Sequence, residues 1–399
     1  MSRALFTLTN PGLLFGVALF AANTIGDKVS NLPLADLILP VYCLGLLYRQ
    51  GTRSATGSLP GLVAAFALLV WIALANDQHG LDAAYQLRRL SSTATIFLPL
   101  YTFLWIRDKA ALLSVLIGMM LGFALYFLGE TAITLVTGGN VRALRWVQPT
   151  PVVLLAIPLV TQKQSSWLLR TLFYTSAIIS CGIGVMAEAR APLIAVVVAV
   201  TLYGLARLFP WPRVVLVGVT FAALIAHCVM GLSANALDTV ILENRATASN
   251  MERAAAVDYS LAMATANPIW GISQPFYGID FADYYRALSG SGGELDYVES
   301  PHNTILEQAV FYGIPAAVLT LLAIFRLLWA PLASPAVARQ LGAAMAVAAV
   351  IRLCAFYGIS GIYRIEWHIA VALLYYLAAR DRASAVSAPA AARTPRQGP

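Results

Sequence analysis

Uninterrupted apolar stretches of about twenty residues recur along this chain from Pro11 to the region of Arg380. A helix needs about 20 apolar residues to cross the hydrocarbon core of a bilayer, because its backbone polar groups must all be hydrogen-bonded within the segment. The composition agrees: 59% of the 399 residues are hydrophobic, 11% are charged, and the mean hydropathy is +0.74. The sequence therefore predicts an all-α, polytopic membrane protein.

Charged and polar breaks divide the apolar stretches into twelve predicted transmembrane helices, so both termini lie on one side. The first follows Arg3 without a clear small-residue cleavage site, which favours an uncleaved anchor. We predict helices 1–9 within residues 1–231, a loop domain with short helices at 232–302, helices 10–12 within 303–380, and a disordered tail at 381–399. The predicted spans are 11–26, 33–48, 59–75, 90–106, 110–129, 149–162, 167–187, 191–208, 213–231, 303–329, 335–357 and 362–379.

The distribution of charge orients these helices. With the N-terminus in the cytoplasm, the inner side holds fifteen of the 26 basic residues and two of the 19 acidic ones, which satisfies the positive-inside rule. The other eleven basic and seventeen acidic residues sum to −6, against +13 inside, so the net charge of +7 reflects topology. Nothing here indicates a nucleic-acid partner, and membrane lipids are the expected surroundings.

The connection from about Leu232 to Pro301 is the one long polar segment, and we predict that it lies on the outer side. Loops of this length are usually functional. Its first part has a helix-compatible composition up to Asn267-Pro268, which stops the helix. From Tyr277 to Tyr297 the glycine turns predict irregular structure.

Aromatic residues crowd this loop. Their rings suit sugar binding, and they equally suit a helix lying at the lipid interface. We take Tyr277 and Tyr284 as candidate sugar contacts. The full set is Trp270, Phe276, Tyr277, Phe281, Tyr284, Tyr285 and Tyr297.

The motifs of nucleotide, redox and zinc chemistry do not occur in the sequence. There is no GxxxxGK[ST], no GxGxxG after a strand and no HExxH. We expect no metal and no cofactor, and hence a reaction driven by energy stored in its own substrate. The cysteines lie in apolar stretches without CxxC spacing and indicate small buried side chains: Cys43, Cys181, Cys228 and Cys354.

The sharpest local feature is Ser300-Pro301-His302-Asn303, where the loop re-enters the membrane. Serine is a favoured N-cap and proline a favoured first helical residue, so His302 and Asn303 are predicted in the first turn of a helix. The positive end of the helix dipole disfavours imidazolium, which leaves His302 a neutral base near pH 7. Glu299 is close enough in sequence to orient it. The alternative is an ordinary polar residue at a helix start.

Arginine is concentrated at the outer ends of the predicted spans, where lysine is nearly absent. Guanidinium groups bind phosphate oxygens through paired hydrogen bonds. Because the outer face as a whole is negative, an anion site would require several of these side chains to converge, whereas lipid-headgroup anchoring would not. The candidates are Arg88, Arg89, Arg142, Arg145, Arg190, Arg245 and Arg253.

Together these features resemble the O-antigen ligase family of bacterial inner membranes, often called WaaL, within the wider ligase and polymerase superfamily. The family's H[NSQ]-x9-G stretch matches His302-Asn303, which nine residues separate from Gly313. Its arginine in an RxxxL-like motif resembles Arg190, although leucine falls one residue early, at Leu193.

Two further motifs extend the resemblance to the loop and to the preceding spans. Arg253 precedes a helix that ends in Asn267-Pro268-Ile-Trp-Gly271, similar to the family's loop arginine and P-x-x-G turn. Arg142, ahead of Pro149-Thr-Pro151, resembles the arginine that family members place before their next span.

The resemblance implies glycosyl transfer on the periplasmic side of the inner membrane, from a polysaccharide linked to undecaprenyl pyrophosphate to a sugar hydroxyl of the lipid A core. On this hypothesis His302 accepts the proton of the acceptor hydroxyl. Arg142, Arg145, Arg190 and Arg253 neutralise the pyrophosphate as it leaves, no metal takes part, and a single displacement inverts the anomeric centre.

Three other functions are compatible with the sequence. An O-antigen or capsule polymerase uses the same donor, but such proteins commonly have two sizeable periplasmic loops and this chain has one. A protein O-glycosyltransferase has a similar histidine-containing loop. A transporter or flippase with twelve spans is a different class, and the sequence lacks the paired interrupted spans typical of transporters.

Overall fold

The computed structural model describes residues 59–87, 89–90, 93, 109–139, 167–186, 246–289, 301 and 304–332. Within these residues the regular structure is helical and no strand occurs, as the sequence predicts. The helices are α1 (Leu59–Gln78), α2 (Lys109–Val136), α3 (Trp167–Met186), α4 (Ala246–Ala266), α5 (Gln274–Ser289), α6 (Thr304–Tyr312) and α7 (Ile314–Leu332).

Three of the predicted spans, 59–75, 110–129 and 167–187, coincide with α1, α2 and α3. In the part of the chain that the structure describes, Pro60–Gln78 is the helix long and apolar enough to cross a membrane, and Ile314–Arg326 is a shorter apolar helix. At 1.5 Å per residue, α1 is about 30 Å long, which matches a bilayer core. Most of the other predicted spans lie outside the described residues: 11–26, 33–48, 149–162, 191–208, 213–231, 335–357 and 362–379.

Helix α1 packs against α7 and the end of α6. Its buried face contains Leu68, Ile72 and Ala75, and the facing side of α7 presents the small residues Ala316 and Ala323, all nearly inaccessible. Small residues let helix backbones approach closely, and van der Waals packing then drives association where lipid removes the hydrophobic contribution. The opposite side of α1 exposes large apolar side chains such as Phe66.

The described part of the loop segment contains two helices, α4 and α5, in agreement with the predicted short helices. Helix α4 ends at Ala266, directly before Asn267-Pro268, as predicted. The prediction of irregular structure from Tyr277 to Tyr297 is wrong up to residue 289, because α5 covers Gln274–Ser289, and residues 290–297 lie outside the described part of the chain. Its buried side places Tyr277 and Phe281 one turn apart, with rings stacked at 5.7 Å. Tertiary packing of this aromatic face overrides the low helix propensity of Gly278, the one glycine within α5.

The segment predicted as a single span at 303–329 is divided into α6 and α7 at Gly313, which has a φ of +86°. The predicted helix start also lies further along: α6 begins at Thr304, and Pro301 is a buried residue outside the helix rather than its first residue. His302 and Asn303 lie outside the described residues.

Candidate functional site

The turn that follows α4 docks onto the break between α6 and α7. A break in a helix normally leaves carbonyl groups without their i+4 donors. Here the amide of Ile314 donates to the carbonyl oxygen of Pro268 at 2.8 Å, and the amide of Ala316 donates to Gly313 at 3.1 Å. Residue 315 is proline and has no amide hydrogen. The carbonyls of Val310, Phe311 and Tyr312 therefore lose their ordinary helical partners.

Each of these three carbonyls is hydrogen-bonded from outside the helix. The amide of Ile272 donates to Val310 at 2.8 Å, and the amide of Ser273 donates to Phe311 at 3.2 Å. The indole Nε1 of Trp71, in α1, donates to the carbonyl oxygen of Tyr312 at 2.8 Å. Leaving one buried carbonyl unbonded would cost about 1–3 kcal/mol, so this exchange stabilises the break.

Two glycines make this approach possible. A Cβ at Gly271 would lie 2.5 Å from the carbonyl carbon of Phe311 and from the oxygen of Val310. A Cβ at Gly313 would overlap the carbonyl group of Ile269. Both residues have positive φ, +71° and +86°, which glycine adopts without strain. The two motif glycines, 42 positions apart in sequence, thus form one backbone contact.

Helix α1 contributes side chains to the same junction. The rings of Trp71 and Trp270 stack with centroids 4.9 Å apart and planes inclined by 10°. The Nε2 atom of His79 lies 3.3 Å from the carbonyl oxygen of Trp270. The P-x-x-G turn is therefore held between α1 on one side and α6 on the other.

An aromatic core connects the two loop helices to α6. Tyr277 is fully buried; its ring lies 5.5 Å from that of Tyr259 in α4 and 5.4 Å from that of Phe311 in α6. The Ser260 hydroxyl donates to the Tyr277 hydroxyl at 3.1 Å. Burial raises the pKa of Tyr259 to about 12, and the negative charge of Asp280 adds to the rise.

The start of α5 is fixed to the segment that follows α1. The Tyr85 hydroxyl donates to Oε1 of Gln274 at 3.1 Å, and Nε of Arg89 donates to the Tyr85 hydroxyl at 3.2 Å. The Arg89 guanidinium also lies over the Tyr85 ring, 5.3 Å from its centroid. Arg89, predicted as a phosphate ligand, is thus engaged with the loop through Tyr85.

Polar side chains are buried close to the junction. Asn76 is fully buried, and neither polar atom of its amide has a hydrogen-bond partner among the residues that the structure describes. The hydroxyl of Ser273 is likewise buried without a hydrogen-bond partner among the described residues. The backbone of Ser273 has a φ of +62°, which is unusual for a residue with a side chain. Strained backbone and unbonded buried polar groups concentrate at functional sites.

Three of the predicted site residues lie in the described part of the loop helices. Arg253 lies in α4, Tyr284 is about one-third exposed on α5, and Tyr277 is in the core, where its ring faces are covered by other aromatic rings rather than open to a sugar. The remaining predicted residues lie outside the described part of the chain: Arg88, Arg142, Arg145, Arg190, Arg245, Glu299, His302 and Asn303.

Sequence reasoning missed Trp71 and the docking role of Trp270. A tryptophan near the end of a span is ordinarily an interfacial anchor, so only the partner across the junction distinguishes Trp71. In the described ranges, no group of three or more His, Cys, Asp and Glu side chains could hold a metal ion.

A family model described as O-Antigen ligase matches residues 175–321. The matched segment contains α4, α5, α6 and the docked turn, and it excludes α1. A comparison with curated proteins finds no match. Residues 175–321 are therefore similar to the O-Antigen ligase family model, and in the structure this segment includes the contact between the P-x-x-G turn and Gly313.

Proposed function

We propose that this protein is an O-antigen ligase: a metal-independent, inverting glycosyltransferase of the bacterial inner membrane. Its donor is a polysaccharide on undecaprenyl pyrophosphate, and its acceptor is a sugar hydroxyl of the lipid A core, joined on the periplasmic side. Family membership supports the broader class, glycosyl transfer by the ligase and polymerase superfamily.

The observation that supports this proposal best is the docking of the P-x-x-G turn onto the α6–α7 break. It connects α4, in which Arg253 lies, to α6, which begins two residues after His302. Helices α4 and α6 pack against each other and their C-terminal ends meet at the docked turn. They therefore run in the same direction, and their N-terminal ends point the same way.

Helix lengths give the expected positions of Arg253 and His302 relative to the docked turn. Arg253 lies thirteen residues before the end of α4, about 20 Å, and α6 is about 13 Å long. Pro301 is buried and directly precedes His302, before the start of α6, and Arg253 lies in the N-terminal half of α4. We expect an arginine and a histidine to face the same substrate there.

The proposed chemistry needs only these two kinds of group. The acceptor oxygen forms a bond to the anomeric carbon of the donor sugar, and the bond from that carbon to the phosphate oxygen breaks. The acceptor proton passes to His302, and undecaprenyl pyrophosphate leaves with the electron pair. Arginine guanidinium groups bound to the pyrophosphate stabilise the negative charge that develops on the leaving oxygen. We assign this role to Arg253 and, by the motif resemblance, to Arg142, Arg145 and Arg190.

The test is transfer by the purified full-length protein in the presence of a chelator. The donor is undecaprenyl-pyrophosphate glycan, and the two acceptors, supplied separately, are lipid A core and a second lipid-linked glycan. We expect transfer to lipid A core with an inverted linkage. His302→Ala should abolish it, while His227→Ala, in a predicted apolar span, serves as the matched control.

Each other outcome rejects part of the proposal. Growth of the second glycan would identify a polymerase, and requirement for a divalent ion would reject the metal-independent mechanism. A retained anomeric configuration would reject the single displacement. Undiminished transfer by well-folded His302→Ala would remove His302 as the base, and transfer to neither acceptor would favour protein glycosylation or transport.

A further inference from the structure

Helix α1 lies outside the segment that matches the family model, yet it contacts the junction at three points. Trp71 donates to the Tyr312 carbonyl, its ring stacks on Trp270, and His79 approaches the Trp270 carbonyl.

The Tyr312 carbonyl needs this donor. Its usual helical donor, the amide of Ala316, is directed to Gly313 instead. Tyr312 is 3% exposed, so bulk water does not replace the missing bond. Trp71 lies seven residues, about 10 Å, before the end of α1, which puts the contact below the outer end of the candidate membrane span. At that depth an unbonded backbone carbonyl costs more than it does in water.

We propose that Trp71 is a positioning residue for glycosyl transfer: it holds the α6–α7 break and the P-x-x-G turn together. The indole N–H ties α6 to α1, and the indole face ties the turn to α1. The orientation of α6, and of the chain that enters it from His302, is therefore set by a transmembrane helix. This inference rests on the proposed function, because it concerns the geometry of that same site.

Two substitutions separate the contributions of Trp71. Trp71→Phe keeps a ring for stacking on Trp270 and removes the N–H donor, whereas Trp71→Leu removes both. Phe66→Leu is the matched control, because Phe66 lies on the exposed side of the same helix. Each variant is purified as the full chain, and its melting temperature, kcat and KM for donor and acceptor are measured.

We expect Trp71→Phe to lower kcat by about 10-fold to 100-fold with little change in either KM, because misplacement of a reacting group slows chemistry more than binding. Trp71→Leu should lower kcat further, and Phe66→Leu should behave as wild type. A wild-type kcat in folded Trp71→Phe would overturn the proposal. A loss of activity that only follows the folded fraction would also overturn it, because it would indicate a structural role alone.

Amide hydrogen exchange gives a second readout that does not depend on activity. Trp71→Phe should speed exchange of the Ile272, Ser273 and Ile314 amides, which form the docked contact, and leave α2 unchanged. If the wild-type protein transfers nothing, the proposed function fails, and exchange alone tests whether Trp71 holds the turn. Unchanged exchange at these amides would overturn the positioning role in either case.

Discussion

The α-carbon of Gly313 lies directly against the carbonyl group of Ile269, with no space for a side-chain atom between them. The two residues belong to different motifs, one at the end of the H-N-x9-G stretch and one within the P-x-x-G turn. Their contact joins the loop helices α4 and α5 to α6 and α7. Glycine at 313 is therefore explained by the approach of a second backbone as well as by its positive φ.

Gly313→Ala should destabilise the protein severely and abolish transfer, because the added methyl group must displace the backbone of the P-x-x-G turn. Gly80→Ala is a control for backbone strain alone: Gly80 also has a positive φ, +63°, but no atom lies within 4 Å of its Cβ position. That control should cost about 1–2 kcal/mol. Thermal unfolding of the detergent-purified variants measures the difference, and equal melting temperatures would show that the contact contributes nothing.

Arg253→Lys should lower kcat/KM for the donor by about tenfold or more, because lysine keeps the charge but cannot form the paired hydrogen bonds of a guanidinium. Arg286→Lys is the matched control: Arg286 lies in the same loop, and its exposed side chain pairs with Asp283 at 2.6 Å. Steady-state kinetics with varied donor concentration checks this prediction. A similar loss in both variants would point to a general effect of charge on the loop.

Tyr277 and Tyr284 should differ in their effects on the acceptor. Tyr277→Phe removes the hydroxyl that accepts a hydrogen bond from Ser260. It should lower the free energy of unfolding by about 1 kcal/mol without changing the KM for the acceptor substrate. Tyr284→Ala removes a partly exposed ring and should raise the acceptor KM. It also removes the contact with the Tyr259 ring, 5.1 Å away, and should therefore lower the melting temperature. A higher acceptor KM in stable Tyr277→Phe would restore Tyr277 as a sugar contact.

The stability of the loop helices should fall in alkaline solution as Tyr259 begins to titrate in the unfolded chain. An unfolded tyrosine has a pKa near 10, whereas in the folded protein the pKa of Tyr259 is about 12. From about pH 10 to pH 12 the unfolded chain loses this proton and the folded chain keeps it, so the free energy of unfolding decreases as pH rises. Tyr259→Phe should reduce this decrease, measured by denaturant unfolding at several pH values.

Asp280→Asn provides an internal control for the same titration. Removing the charge of Asp280 should lower the pKa of Tyr259, but burial should still hold it above its ordinary value. The pKa of Tyr259 is measured by following tyrosinate absorbance in the ultraviolet as pH rises, and the titration of Tyr259→Phe is subtracted to isolate its contribution. A Tyr259 pKa near 10 in the wild-type protein would be inconsistent with the packing of its ring against Tyr277 and Phe281.

Asn76→Leu tests how the buried amide of Asn76 affects the stability of the protein. Replacing an amide that makes no hydrogen bond with an apolar group of similar size is expected to be neutral or stabilising. We therefore expect an unchanged or higher melting temperature for Asn76→Leu. A large destabilisation would show that the amide is bonded in the folded protein, for example through buried water.

Much of the helical structure could be predicted from the sequence because its causes are local. Apolar runs of sufficient length predict α1, α2 and α3, and Asn267-Pro268 predicts the end of α4. The motif resemblance also identified Gly271 and Gly313 as residues of one family pattern. It could not indicate that Gly271 packs on the carbonyls of α6 while Gly313 packs on the carbonyl of Ile269, because a single sequence contains no record of which distant turns pack together.

The tertiary structure decided the features that depend on contacts across the chain. Helix α5 is stabilised by the packing of Tyr277 and Phe281 on α4 and of Tyr277 on α6, whereas Gly278 within it disfavours a helix. The same packing buries Tyr277, which sequence alone would leave available to a sugar. Trp71 reaches a carbonyl 241 positions away in sequence, so its role follows from the docking of α1 at the helix break. Local propensity determines where helices form, and the satisfaction of buried backbone groups determines how they meet.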